Sequence, residues 1–324
     1  MVGVPKYGRT MRVYLQVGPP PGIPLVLWQD GLPVGPKLSL ACEFVIRSMC
    51  GPYPQECELI VHGLSRAVRE SLVKAYEAAE EMALKTRRVL NFGRLRVDAG
   101  YGVDAATIFI GDIAPDGIQV QYTRPGHTVK LKALDGRVQW KGRFVNKSTA
   151  INVDLQTVRS VFALGGDYMA GVDADRSFAQ NFPNLVKKKL GFPGYESGYA
   201  IFGESRAHNM QICKDLGITP FFRDGEIIYI PSDSAALDLA LVLTAVGNGA
   251  LLDAQTLGRG RFRVRTLMEH RMRPGRQVIL SDDLGRPIGS SGGLFRCDAM
   301  VADGGNRSQN FNIEADLTPT GLTL

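Results

Sequence analysis

Ile108-Phe109-Ile110-Gly111-Asp112 and Leu294-Phe295-Arg296-Cys297-Asp298 are the two stretches on which the fold turns. Each sets an Asp three residues after a Phe. The first runs on to Asp116-Gly117, the second to Asp303-Gly304. Each then closes on an alternating segment, at 128–134 in one and 310–317 in the other. In the first of these, Val129, Leu131 and Ala133 point one way while Lys130 and Lys132 point the other. An apolar pair, an Asp, a Gly turn and a closing strand recur in order. Unrelated β-meanders share such features too; the order of all four together is read as one small β design used twice.

Working outward from the first stretch, the preceding sequence is strand-like. Arg12-Val-Tyr-Leu-Gln-Val17 alternates polar and apolar residues, and short runs at 24–29, 37–47 and 56–62 are bounded by Gly or Pro. After Gly63 the period changes. Val68, Leu72, Tyr76, Ala79 and Ala83 make one helical face with Ser65 as N-cap, so a helix is expected at about 65–89, broken near Lys74. Strands resume at 94–98, 107–113, 117–122 and 128–134. Residues 1–136 are therefore read as a first β-barrel domain of about seven strands carrying an outer helix.

Residues 137–232 read as an α+β middle domain. Helical spacing occurs at 155–163 and, around Pro183, at 177–190. A better helix spans 205–216, between Ser205 and Gly217. Asp224-Gly225, set between the apolar runs 218–223 and 226–230, is the strongest hairpin signal in the chain. Residues 233–324 read as a second β-barrel domain, with strands at 261–267, 276–280, 294–301 and 309–317 and one weak helix at 235–245. The expected fold class is α+β, mostly β: two antiparallel barrels flanking a smaller α+β domain.

Composition supports this class. With 37 glycines and 18 prolines in 324 residues, many short strands and turns fit better than long helices. The apolar share of 44% and charged share of 22% are those of a soluble globular protein. The first ten residues hold neither an apolar run nor a small-residue cleavage site, so no secretory signal is expected there. The most apolar stretch, 235–252, is interrupted by Asp238 and Asn248 and is too short to span a membrane. Five cysteines (Cys42, Cys50, Cys57, Cys213 and Cys297) form no Cys-x-x-Cys pair and are read as reduced thiols. The formal charge of +6 does not by itself argue for nucleic acid.

Catalytic, cofactor-binding and metal-ligating residues are all read as none. His62, His127, His208 and His270 sit in separate elements without metal-ligand spacing. Asp173 and Asp175 lack the other positions of a calcium loop. Ser290-Ser291-Gly292-Gly293 is a turn without a base, and Gly165-Gly166 and Gly304-Gly305 precede no clear helix. The unusual feature is basic. Arg259, Arg261, Arg263 and Arg265 alternate along one segment, so all four are expected on one face of a strand, with Arg271, Arg273 and Arg276 close behind. This row is the candidate protein interface. A solvated face and a phosphate-contacting face are the alternatives; aromatic interleaving is limited to Phe262, against single-strand stacking.

Several motifs, in order and at matching spacing, resemble the baseplate hub proteins of contractile-tail bacteriophages. They are Leu27-Trp28-Gln29-Asp30-Gly31 into Gly35-Pro36-Lys37, Gly63-Leu64-Ser65-Arg66, Ala99-Gly100-Tyr101 and Ile108 to Ile113. Farther on come Gly198-Tyr199, Cys213-Lys214-Asp215-Leu216-Gly217, Asp224-Gly225, Val264-Arg265-Thr266-Leu267 and Arg273-Pro274-Gly275-Arg276. The segments 65–89 and 247–260 depart from the pattern. The resemblance implies a virion structural protein with no enzymatic activity and no cofactor. It implies a homotrimer whose two tail-tube-like barrels per chain make a pseudo-sixfold ring, a symmetry adaptor between a sixfold tail tube and a trimeric spike. Implied partners are the chain itself, the tail tube protein, the spike protein, other baseplate proteins and, transiently, passing DNA, without a membrane span. The implied location is the virion tail baseplate, after assembly in the host cytoplasm. The alternatives carried forward are a cell-wall glycan-binding module and a hub-fused wall hydrolase of the tail tip.

Overall fold

The computed structural model describes residues 8–17, 24–29, 41–51, 53–86, 93–123, 126–135, 144–148, 200–204, 218–223, 226–232, 235–244, 250–282, 284–289, 292–306 and 308–320, with Ala207, Met210, Gln211 and Lys214. The expected helices at 155–163 and 177–190 lie outside the described residues. At 205–216 the four residues described are helical.

Among the described residues seventeen strands and one continuous α-helix follow in order. The first part holds β1 (Arg9–Val17), β2 (Pro24–Gln29), β3 (Ala41–Met49), β4 (Glu56–His62), α1 (Arg66–Thr86), β5 (Gly93–Tyr101), β6 (Ala106–Thr123) and β7 (Gly126–Leu134). The middle contributes β8 (Phe144–Ser148), β9 (Ala200–Glu204), β10 (Ile218–Arg223) and β11 (Glu226–Pro231). The last part holds β12 (Ala236–Thr244), β13 (Leu251–Gly258), β14 (Arg261–Leu267), β15 (Arg276–Ser281), β16 (Leu294–Gly305) and β17 (Asn312–Pro319). The protein is mostly β, organised around one large, almost wholly antiparallel sheet.

The strand order contains the same unit twice. β3 pairs β4, β4 pairs β7, β7 pairs β6, and β6 pairs β5. β13 pairs β14, β14 pairs β17, β17 pairs β16, and β16 pairs β15. In both units the third, fourth and fifth strands form a meander whose last strand returns to lie beside the second. Phe109 and Phe295, the aromatic residues of the two quoted stretches, are fully buried on β6 and β16. Each unit gains a sixth strand beside its third: β1 antiparallel to β5, and β12 parallel to β15. The units join by β16 pairing with β3, from Ala299↔Met49 to Gly305↔Glu43.

Alternation places the core. In β4, Cys57, Leu59 and Val61 are fully buried, as are Val129, Leu131 and Ala133 in β7. Ile313, Ala315 and Leu317 do the same in β17. These side chains form one continuous cluster across both units. α1 covers part of it. The Ser65 hydroxyl caps the helix by accepting from Val68 N–H at 3.3 Å. Leu72 is buried, and Val68 and Tyr76 pack on the cluster at successive i+4 positions. The helix runs unbroken through Lys74, because nothing there interrupts the i→i−4 ladder.

Two further expectations are corrected. Residues 236–244 form strand β12, not a helix. Leu241 and Leu243 are buried while Val242 between them is 56% exposed, a period of two that pairing with β15 enforces. Asp116-Gly117 and Asp303-Gly304 are not turns; each lies inside a long strand. Gly304 is small because a Cβ there would lie 2.8 Å from the Phe44 ring and 3.0 Å from that of Phe311.

The expected hairpin around Asp224-Gly225 is present as β10 and β11, in register from Ile218↔Pro231 to Arg223↔Glu226. It docks onto the first unit through Gly51 N–H to Pro220 O (2.6 Å) and Gln55 Nε2 to Phe222 O (3.0 Å). Phe221 is wholly buried against Ile230 and Cys50.

Candidate functional site

The arginine row sits on β14, where exposed and buried residues alternate as the sequence requires. Arg261, Arg263 and Arg265 are exposed, and Val264 and Thr266 are buried. Arg259 is not part of the row. It lies in the β13–β14 turn with φ 53, flanked by Gly258 and Gly260. The row therefore holds three arginines.

Cross-strand register decides what each arginine meets. Arg263 lies opposite Asp316 on β17, and Arg265 opposite Glu314. Arg263 holds Asp316 with two bonds, Nε to Oδ1 at 2.7 Å and Nη2 to Oδ2 at 3.1 Å, and its Nε also lies 3.3 Å from a Glu314 oxygen. These bonds, with the Asp316 charge, raise the guanidinium above its ordinary range. Arg261 and Arg265 make no ion pair with a described residue.

The first unit carries a matching row with the signs exchanged. On the equivalent strand pair, Lys132 lies 2.8 Å from Glu56 and Lys130 lies 3.3 Å from Glu58. The acids stand on β4, the counterpart of β14, and the bases on β7, the counterpart of β17. Both rows occupy the face opposite the apolar side chains. Exposed pairs of this kind contribute little to stability. The two units thus present equivalent strand pairs with the charges exchanged.

A second basic group does hold the chain together. Arg273 is 6% exposed. It donates from Nη1 to Ile108 O at 2.7 Å, from Nη2 to the Thr107 carbonyl, and from Nε to His270 O at 3.1 Å. The loop between β14 and β15 is thereby tied to β6 of the other unit. Sequence reading grouped Arg273 with surface arginines; its place between buried Met272 and Pro274-Gly275 was the available signal. Arg9 makes a second tie, donating to Ser308 O (2.8 Å) and Gln309 O (3.0 Å) beneath the Phe311 ring.

The remaining candidates do not converge. His62 Nδ1 lies 3.3 Å from the Thr128 hydroxyl. His127 stands on β7 near Arg66 and Arg69 of α1, beside a cavity of about 480 Å³. His270 neighbours Glu269, with 3.6 Å between Nδ1 and Oε1. Burial lowers the His270 value, and Glu269 is held below the usual carboxylate range: burial raises it, but bonds from Arg271 outweigh that. His208, Asp173, Asp175, Ser290, Ser291 and Gly165-Gly166 lie outside the described residues. Among the described residues no group of three or more His, Cys, Asp or Glu side chains is placed to hold a metal ion. No helix among them is long and apolar enough to cross a membrane. Cys42, Cys50, Cys57 and Cys297 are free thiols. Burial pushes Cys42 and Cys50 up to about 12 and raises Cys57 and Cys297 as well, so these sulfurs stay protonated.

No protein-family model matches the sequence, and no curated protein matches it. Solved structures do. A tail protein from Neisseria meningitidis superposes with a TM-score of 0.55 at 11% identity, over 96% of each chain. The 43 kDa tail protein of prophage MuSo2 from Shewanella oneidensis gives 0.52 at 8% identity, over 95% of this chain and 96% of that one. An E. coli component of the type VI secretion system, described as structurally similar to T4 bacteriophage tail proteins, gives 0.52 at 8% identity, over 88% of this chain and 76% of that one. At such identities the likeness is one of fold: the chain has the baseplate hub-like fold of these tail proteins.

Proposed function

We propose that the chain is the structural hub of a contractile-tail baseplate and not an enzyme. Three copies form a ring, and the two repeats of each copy give it six similar units. Such a ring meets a sixfold tail tube on one side and a trimeric spike on the other, with other baseplate proteins at its rim and DNA passing through. The observation that carries this reading is the recurrence of one five-strand order in a single chain. A contact in which one surface patch meets a different patch on the next copy generates a ring when its rotation closes. The exchanged signs of the two charged rows fit a ring that is sixfold in shape and threefold in chemistry. Arg261 and Arg265, exposed and without an ion-pair partner among the described residues, are suited to an acidic partner surface.

The test is location. Antibody raised against the chain should label the spike-proximal end of the tube in purified tail particles of the source. Label absent from the particles, or spread along the sheath, would overturn the reading.

A further inference from the structure

The two units differ in what their flanks meet. β16 pairs β15 through its first residues and β3 through residues 299–305, both on the flank away from β17. The counterpart of β16 is β6, and the counterpart of β3 is β13. β6 pairs β5 only through residues 106–112; residues 118–123 pair β7 on one side and no described strand on the other. Among the described residues β13 ends the sheet and pairs only β14. One joint of the repeat is thus made within the chain, and among the described residues the two halves of its equivalent are left open.

The open halves carry little of the usual protection against pairing: Asp253 is the one charge on β13, and residues 118–123 carry none. β13 carries no Lys and no Pro, and Leu252 and Leu257 stand 52% and 38% exposed along it. Natural edge strands that must stay single are usually blunted by such residues or by a covering element. Face parity also matches. Gln255 lies opposite Arg263 on the charged face, and Gln119 and Gln121 lie on the same face of β6, opposite Lys130 and Thr128.

We propose that β13 of one copy adds antiparallel to residues 118–123 of β6 in the next copy, reproducing between chains the β3–β16 joint within the chain. Each copy gives one edge and receives one, so the contact is head-to-tail and propagates around a ring. Backbone hydrogen bonds supply the attachment, as in strand addition generally. This rests on the ring reading and specifies its subunit contact.

Cysteine pairs test it in the full-length chain. Directly opposed residues of an antiparallel pair lie about 4.5–5.5 Å apart at Cα, within the span of a disulfide. Gln255→Cys combined with Gln119→Cys, or with Gln121→Cys, should give covalent dimers and trimers on oxidation, from one pair or both. Each single variant should run as a monomer on a non-reducing gel. A trimer by native mass that forms no cross-link with either pair overturns this contact and leaves the ring standing. A chain that stays monomeric at every concentration, with no cross-link, overturns both. Hydrogen exchange on the unaltered protein is independent of how the variants fold. Slow exchange at 251–258 matching that at 299–305 supports the contact, and fast exchange at 251–258 in the assembled protein overturns it.

Discussion

Replacing Arg273 with Met asks whether one buried guanidinium ties the two repeats together. Met keeps much of the stem and its apolar contacts but donates nothing. The bonds lost include those to Ile108 O, to the Thr107 carbonyl and to His270 O. Hydrogen bonds from a charged group contribute about 1.5–3 kcal/mol each. Part of that loss is offset, because the variant no longer removes a charge from water. The net destabilisation expected is about 3 kcal/mol. With a urea dependence of about 3 kcal/mol per molar, the unfolding midpoint falls by about 1 M. The assay is urea titration followed by circular dichroism of the strand signal. Arg273→Lys should recover less than half of the loss, since an ammonium cannot reproduce the spread of the guanidinium fork. A midpoint within about 0.3 M of the parent for Arg273→Met would refute the reasoning, because three buried bonds cannot vanish at that cost.

Three further outcomes are expected. Gly275→Val places a Cβ 2.4 Å from the Phe221 ring at a backbone φ of +78, so stability should drop by about 2–4 kcal/mol and limited proteolysis should cut near 218–231 first; an unchanged thermal midpoint would contradict the packing. His270 and Glu269 both titrate below their ordinary values when folded, so their contributions are full above those values and are lost on acidification. The thermal midpoint should fall once pH drops below 6.5 for His270 and again below 4.5 for Glu269, and His270→Gln should remove only the upper step. Replacing Arg261 and Arg265 together by Gln breaks no ion pair with a described residue and sets no like charge opposite Asp253 or Glu314, so stability should stay within about 0.5 kcal/mol while incorporation into tail particles falls; normal particles would remove these arginines from the interface.

Much of this architecture is legible in the residues, and its exceptions have physical reasons. The strands 24–29, 56–62 and 261–267 coincide with β2, β4 and β14, because alternation on a half-buried sheet fixes both period and ends. The Ser65 cap and the i+4 apolar spacing place α1. β12 was obscured by composition: Leu and Ala favour helices in isolation. Its Leu237, Leu239, Leu241 and Leu243 do alternate, however, and that was the better signal. β13 has no such signature because most of it is exposed and it carries no apolar period. Asp116-Gly117 and Asp303-Gly304 imitate turns, but their glycines answer close packing inside strands. The arginine row was legible as a row. Its pairing with Glu314 and Asp316 was not, because it depends on two segments about fifty residues apart coming into register. The buried role of Arg273 depends on a contact across the two repeats, which local pattern does not encode.

Imaging of the purified protein by electron microscopy tests the hub reading most directly. Class averages should show a closed ring of threefold symmetry with six similar lobes around a central opening. Compact monomers, or assemblies without a ring, would contradict it.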